Sequence, residues 1–223
     1  MNKQPPMKKL ADFDPLAAPY RWMEYFSFGP MLQRCRCAFL GRTAGARNAL
    51  VLGDGDGRFT RGLLTQNPSV RVHAVDGSPA MLRALLHRAG RDASRVVTEQ
   101  ADLREWVPAP DLEQAGYDLI ASHFFLDCLT TDEVRTLAAK VRDTTAPGAV
   151  WVISEFLVPP KGFGKLIAVP LVASLYWSFA QLTGLEVRRL PDHASALQSA
   201  GFTLVEQRKR LFGLLVSEAW TTA

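Results

Sequence analysis

The 223-residue sequence predicts an α/β fold, a doubly wound, mostly parallel seven-stranded sheet with an antiparallel C-terminal hairpin. Two patterns predict it. Short apolar runs bounded by turn residues alternate with longer stretches whose apolar side chains recur at helical spacing, and the chain ends in two β-prone runs separated by almost nothing. Hydrophobic residues at 48% and charged residues at 22% match a packed domain, which excludes disordered and fibrous classes.

Strands are expected at Ala49–Leu52, Val70–Val75, Val96–Gln100, Tyr117–Ser122 and Val150–Phe156, because each is short and apolar, as strands covered on both faces are. Helices are expected over Pro79–Arg88, where Met81, Leu82, Leu85 and Leu86 share a face, and over Thr131–Arg142, where Val134, Leu137, Ala138 and Val141 do. Asp132 suits the positive end of the second helix, and Asp192, after Pro191, reads as an N-cap. His73 and His193 read as structural. Phe202–Lys209 and Leu211–Trp220, with Gly213 near their turn, form the closing hairpin.

The run from Ala49 to Gly57 ends an apolar strand with glycines at 53, 55 and 57, where the absence of Cβ lets the backbone turn sharply and approach a bound cofactor. A dinucleotide fingerprint requires a glycine where Arg58 stands, and the pattern of a phosphate-cradling loop is missing. Asp54 and Asp56 inside the turn repel a pyrophosphate but suit the ammonium and sulfonium charges of S-adenosylmethionine. Asp76 follows the next strand, about 20 residues on, where a carboxylate accepts hydrogen bonds from vicinal ribose hydroxyls.

The stretches LVLGDGDGRF, VHAVDGSPAML, EQADLREW, YDLIASHFFLDCL and APGAVWVISEF resemble the successive motifs of class I S-adenosylmethionine-dependent methyltransferases, over about residues 48–157. FDPLAAPYRWMEYFSFG resembles, more loosely, the opening of the ubiquinone/menaquinone C-methyltransferase group. The resemblance implies the Rossmann-like methyltransferase fold, with S-adenosylmethionine as cofactor and S-adenosylhomocysteine as product. It implies that Gly53, Gly55 and Gly57 line the methionine part, that Asp76 holds the ribose, and that Gly77, Ser78 and Met81 pack near it. Asp102 and Leu103 then meet the adenine, and His123 and Phe124 stand beside the methyl group. The acidic residue usual two positions before the first glycine is Val51 here, and Asp54 is the candidate to replace it at the ammonium.

Methyl transfer is an in-line displacement governed by orientation and desolvation, so a dedicated base is optional. His123 and Asp127, after the fourth strand, are the catalytic candidates for an O- or C-methylation that must remove a proton, although a stacking or capping role for His123 stays open. Tyr20, Tyr25 and Glu155 are candidate substrate residues, with core anchoring or ion pairing as their structural alternatives.

The chain reads as one domain: an N-terminal helical cap at 1–47, a cofactor-binding core at 48–156, a substrate lid at 157–190 and a closing helix and hairpin at 191–223. Residues 166–185 carry no charge, and lysines and arginines flank them, which suits a lid, a contact with a membrane surface or, least well, a span. Positive charge is concentrated in the flanks: Lys and Arg against Asp and Glu number 8 and 3 over residues 1–50, 11 and 15 over 51–156, and 7 and 4 over 157–223. No basic run with interleaved aromatics points to nucleic acid. Cys35, Cys37 and Cys128 form neither a disulfide framework nor a zinc set, so reduced thiols, no metal and a cytoplasmic, possibly membrane-associated location are expected for a monomer or homodimer. The acceptor is expected to be small and hydrophobic: quinone-, phenol- or lipid-like. The rivals are aminopropyl transfer from decarboxylated S-adenosylmethionine, a nicotinamide-dependent reductase and a cofactor-binding module without catalysis.

Overall fold

A computed structural model describes residues 30–108, 116–159 and 189–222. Its strands are β1 (Asn48–Leu52), β2 (Arg71–Asp76), β3 (Val96–Gln100), β4 (Tyr117–His123), β5 (Thr145–Phe156), β6 (Phe202–Arg210) and β7 (Leu215–Thr222). They form one sheet in the order β3-β2-β1-β4-β5-β7-β6. The strands β1 to β5 run parallel, and β7 is antiparallel to both β5 and β6. The expected doubly wound sheet with its closing pair is therefore present. The winding direction reverses between β1 and β4, which opens a crevice beyond their carboxyl ends, where folds of this type bind ligands.

Alternation along the strands fills a core on each side. Leu50, Leu52, Ile120 and Trp151 face Val134, Leu137 and Val141 of α4 (Thr131–Arg142) and Leu197 of α5 (His193–Ser199). Ala49, Val51, Ala74 and Ala121 face Phe59, Leu63 and Leu64 of α2 (Arg58–Gln66) and Leu85 of α3 (Pro79–Ala89). A smaller cluster joins Leu32 and Cys35 of α1 (Met31–Arg36) to Phe156 and Leu215.

Local chemistry explains where the helices begin. The Ser78 hydroxyl accepts from the Met81 amide at 3.2 Å, and Pro79 occupies the first helical position of α3. Thr130 and Glu133 form a reciprocal capping box on α4, so the start at Thr131 matches expectation although Thr130 supplies the cap. Asp192 caps α5 through the Ser195 amide at 3.0 Å.

Two boundaries differ from expectation. β7 starts at Leu215, because Leu211, Phe212 and Gly213 take positive φ values of 48°, 55° and 90° in a short 3₁₀ turn. β5 starts at Thr145, because Thr145 pairs with Tyr117 ahead of a register shift in β4.

His193 and His73 are structural, as expected. His193 Nε2 lies 3.1 Å from Glu218, which also accepts from Trp220 Nε1 at 2.9 Å and Gln207 Nε2 at 2.7 Å. His73 sits between the Tyr117 hydroxyl at 2.7 Å and Glu99 at 3.0 Å. Among the described residues no helix is long and apolar enough to cross a membrane. The 166–185 segment, Tyr20 and Tyr25 lie outside the described residues, as does most of the expected cap and lid.

Candidate functional site

The glycine turn at the end of β1 meets the end of β2 directly. The Gly53 amide donates to the Val75 carbonyl at 2.9 Å, and the Gly55 amide donates to the Asp76 carboxylate at 3.3 Å. Asp76 also accepts from the Ser78 amide at 2.9 Å, which fixes its side chain at the mouth of α3. The predicted turn and its acidic partner are thus in contact with one another on the β2 side of the switch point.

The three glycines have different duties. A Cβ on Gly57 would stand 2.8 Å from Leu85 Cα, so this glycine lets α2 and α3 close on each other. A Cβ on Gly53 would stand 2.4 Å from the Phe125 ring, so the loop after β4 covers that face. Gly55, at φ +57°, leaves an open face whose nearest atom is Met81 Sδ at 3.8 Å. An open, left-handed backbone position beside a carboxylate fits an adenosyl group, with Gly55 and Asp76 to hold it.

Other candidates are engaged locally. Both Asp54 oxygens accept amides at the start of α2, from Phe59 at 3.2 Å and Thr60 at 2.8 Å. Burial nevertheless raises the Asp54 carboxyl to about 6, against the lowering effects of those bonds and of Arg36. Asp102 is gripped by Arg104, with Nη2 at 2.7 Å and Nε at 2.9 Å. Burial opposes ionisation of Asp102, but the Arg104 bonds outweigh it and hold the carboxyl below its usual range. Leu103 is buried in the core with Trp106. Gly77 follows Asp76 at the start of the α3 cap.

The fourth strand delivers His123 and Phe124 to the crevice end of the sheet. His123 is buried, its ring 4.5 Å from that of Phe59, and neither ring nitrogen has a hydrogen-bond partner among the described residues. Burial, reinforced by the positive charge of Arg36, pushes His123 down to about 3, so the imidazole is neutral at physiological pH. Phe124 has φ 56° and donates its amide to Ser154 at 2.7 Å, a bend that swings the loop back over the turn.

Glu155 is buried and caps that loop. Its Oε1 accepts from the Phe125 amide at 3.1 Å and the Leu126 amide at 2.8 Å. Burial, then the neighbouring Asp127, raises Glu155 well above the usual carboxylate range. Burial likewise raises Asp127 to about 6. Two neighbouring carboxyls with elevated proton affinity therefore lie at the loop that follows β4.

Sequence reasoning missed Arg36 and Phe125. Arg36 is 6% exposed, and its guanidinium carbon lies 5.2 Å from the Phe124 ring centroid. Its place four residues after Leu32, on the apolar side of α1, was the available signal. Phe125 gave no local signal, because its contact with Gly53 spans two strands.

Comparison with known proteins agrees with this geometry. Residues 50–151 match a family model described as a methyltransferase domain. The chain is 35% identical over 126 residues to a trans-aconitate 2-methyltransferase of Mycobacterium tuberculosis (strain ATCC 25177 / H37Ra), covering 55% of this chain and 43% of that one. It is 28% identical over 185 residues to a malonyl-[acyl-carrier protein] O-methyltransferase of Paenibacillus sp. (strain JDR-2), covering 78% and 65%. The chain thus spans less than half of the first relative and about two thirds of the second. Among solved structures, the N-methyltransferase NodS from Bradyrhizobium japonicum WM9, in complex with S-adenosyl-L-homocysteine, aligns with a TM-score of 0.60 and 17% identity over 86% of this chain and 84% of that one. That likeness shows a shared fold.

Proposed function

Since residues 50–151 match a methyltransferase domain, we propose that the chain is a class I S-adenosylmethionine-dependent methyltransferase and that it transfers a methyl group to a small molecule whose accepting oxygen already carries negative charge, a carboxylate on a largely apolar body. The observation that carries this reading is the buried Arg36 guanidinium, whose carbon lies 5.2 Å from the ring centroid of Phe124, just past the end of β4. Its positive charge favours an anionic acceptor at that end of the strand, and a carboxylate needs no proton removed before it attacks. The names of the two relatives, a trans-aconitate 2-methyltransferase and a malonyl-[acyl-carrier protein] O-methyltransferase, each refer to a carboxylic acid or its acyl group and support the same class. The apolar body is the hydrophobic acceptor expected from the lid segment.

The cofactor supplies an electrophilic methyl group on a sulfonium. Gly55 and Asp76 are the residues that hold its adenosyl half, with Ser78 and Met81 behind them. His123 offers uncharged nitrogens that orient the acceptor, and Phe125 with Phe124 keeps water from the crevice. Tyr20 and Tyr25 remain candidate substrate contacts. A phenol or quinol acceptor is the second reading. It is favoured by Asp127, whose carboxyl near 6 suits a general base at neutral pH.

Incubation with methyl-tritiated S-adenosylmethionine and panels of dicarboxylates, fatty acids, phenols and quinols tests the choice. The expected product is a methyl ester that releases labelled methanol in mild base. Label confined to base-stable ethers or ring carbons would move the assignment to the second reading, and no transfer of label to any acceptor would remove both.

A further inference from the structure

We propose that a cleft between α1, α2 and the last turn of α3 is a binding site for a phosphate group. The cleft has a volume of about 540 Å³ and is lined by Gln33, Arg58, Arg61, Thr65, Gln66 and Arg88. None of these residues belongs to the cofactor or acceptor site, so the inference stands whether or not methyl transfer is correct.

Guanidinium donors carry the case. Arg61 donates only through Nη1, to Asp92 at 3.1 Å and the Ala89 carbonyl at 3.4 Å, which leaves Nε and Nη2 without a partner among the described residues. Arg88 donates through Nε to the Asp56 backbone carbonyl at 2.7 Å and through Nη2 to the Asp56 carboxylate at 2.5 Å, and leaves Nη1. The carboxylates that hold these arginines are each shared. Asp92 also serves Arg95 at 2.9 Å, and Asp56 also serves Arg58 at 3.3 Å. Positive charge therefore exceeds negative charge around the cleft, while the arginines remain reachable: Arg61 is 44% and Arg88 35% exposed. Thr65 directs its hydroxyl to the Arg61 carbonyl at 2.8 Å, and the exposed Gln66 adds a neutral amide. Planar guanidinium forks converging on a roomy, charge-biased cleft suit tetrahedral, multiply charged oxyanions, and no carboxylate side chain lines the cavity to repel one.

The Asp56 clamp gives the site a built-in competitor. Asp56 lies between Gly55 and Gly57, and its carboxylate takes guanidinium donors that a phosphate would otherwise receive. Removing that charge strengthens anion binding, whereas removing a cation weakens it.

Calorimetric titration with sodium phosphate, against sodium chloride at equal ionic strength, tests the proposal. Saturable one-to-one binding is expected, weakened about tenfold in Arg61→Gln, as loss of one charge-assisted partner implies. Gln66→Glu, which adds a negative charge on an exposed helix position and breaks no arginine pair, should weaken it likewise, and Asp56→Asn should tighten it. Glycerol 3-phosphate in solution and vesicles of phosphatidate in phosphatidylcholine, against phosphatidylcholine alone, distinguish a soluble ester from a lipid headgroup as the source. Binding in either arm that is lost in Arg61→Gln supports the site. No saturable phosphate heat, or equal affinity in wild type, Arg61→Gln and Gln66→Glu, overturns it.

Discussion

The Gly55 amide donates to the Asp76 carboxylate at 3.3 Å, so the middle of the glycine turn and the acidic end of β2 are in direct contact. The bond is long, and the same carboxylate also accepts from the Ser78 amide at 2.9 Å, so it is fixed beside the turn at the position where a ribose-holding carboxylate is expected. Asp76→Ala should weaken S-adenosylhomocysteine by about 1.5 to 3 kcal/mol, roughly ten- to hundredfold, with little change in unfolding temperature. Calorimetry on both proteins checks this. Unchanged affinity would remove Asp76 from the ribose.

Gly57 and Gly90 both have positive φ, at 80° and 60°, but only Gly57 is crowded. A methyl group at Gly57 meets Leu85 Cα at 2.8 Å, while one at Gly90 meets nothing within 4 Å. Gly90→Ala should therefore cost only backbone strain, which at φ 60° and ψ −126° is that of a position outside the left-handed helical well, about 1 to 3 kcal/mol. Gly57, at φ 80° and ψ 31°, is in that well, so Gly57→Ala should cost its penalty of about 1 to 2 kcal/mol plus the overpacking of α2 against α3, about 3 kcal/mol or more together. Denaturant titrations measure both losses, and a Gly57→Ala loss no larger than the left-handed penalty alone would contradict the close approach of the helices.

The contrast between these glycines shows what the sequence alone conveys. The apolar run at 49 to 52, the turn at 53 to 57 and Asp76 are local patterns, and each was legible before any coordinates. The sharing of duties among Gly53, Gly55 and Gly57 was not, because it depends on Leu85, Met81 and Phe125, which approach from other elements. Arg36 lies 18 residues before Asp54 with no motif to link them, yet its charge acts on both Asp54 and His123. The start of β7 was misplaced for a different reason. Leu211 and Phe212 have strand-like composition but positive φ, so the connection holds them where propensity favours extended chain.

Asp127 has a folded-state proton affinity raised to about 6 by burial, against an ordinary value of 3.8. A group that binds its proton more tightly when folded stabilises the chain below its unfolded value, and that contribution is lost as pH rises to the folded value. Ionisation of Asp127 thus destabilises the fold between about pH 4 and 6, and the nearby Glu155 adds to the penalty. His123, with about 3 folded against 6.5 unfolded, acts in the opposite sense across its own window. Asp127→Asn removes the Asp127 contribution together with the part of the Glu155 shift that Asp127 causes. The variant should gain on the order of 1 to 2 kcal/mol relative to wild type between pH 4.5 and pH 8 in urea denaturation. A stability difference that is flat with pH would sink the assignment.

Glu155 turns a buried charge problem into loop geometry. Its Oε1 holds the Phe125 and Leu126 amides, and Phe125 in turn lies against Gly53, so one carboxyl group sets the roof over the first glycine. Burial, then the charge of Asp127, favours the neutral form of that carboxyl, and a neutral amide oxygen is the matching replacement as acceptor. Glu155→Gln should therefore preserve the loop and retain kcat and cofactor KM within about threefold, since both amides keep an acceptor. Glu155→Ala leaves two buried amides unsatisfied at about 1 to 3 kcal/mol each, and should raise cofactor KM at least tenfold as the roof loosens. Steady-state kinetics on both variants separates the roles. Equal damage in Gln and Ala would show that the ionised carboxylate, and not its acceptor oxygen, holds the site together.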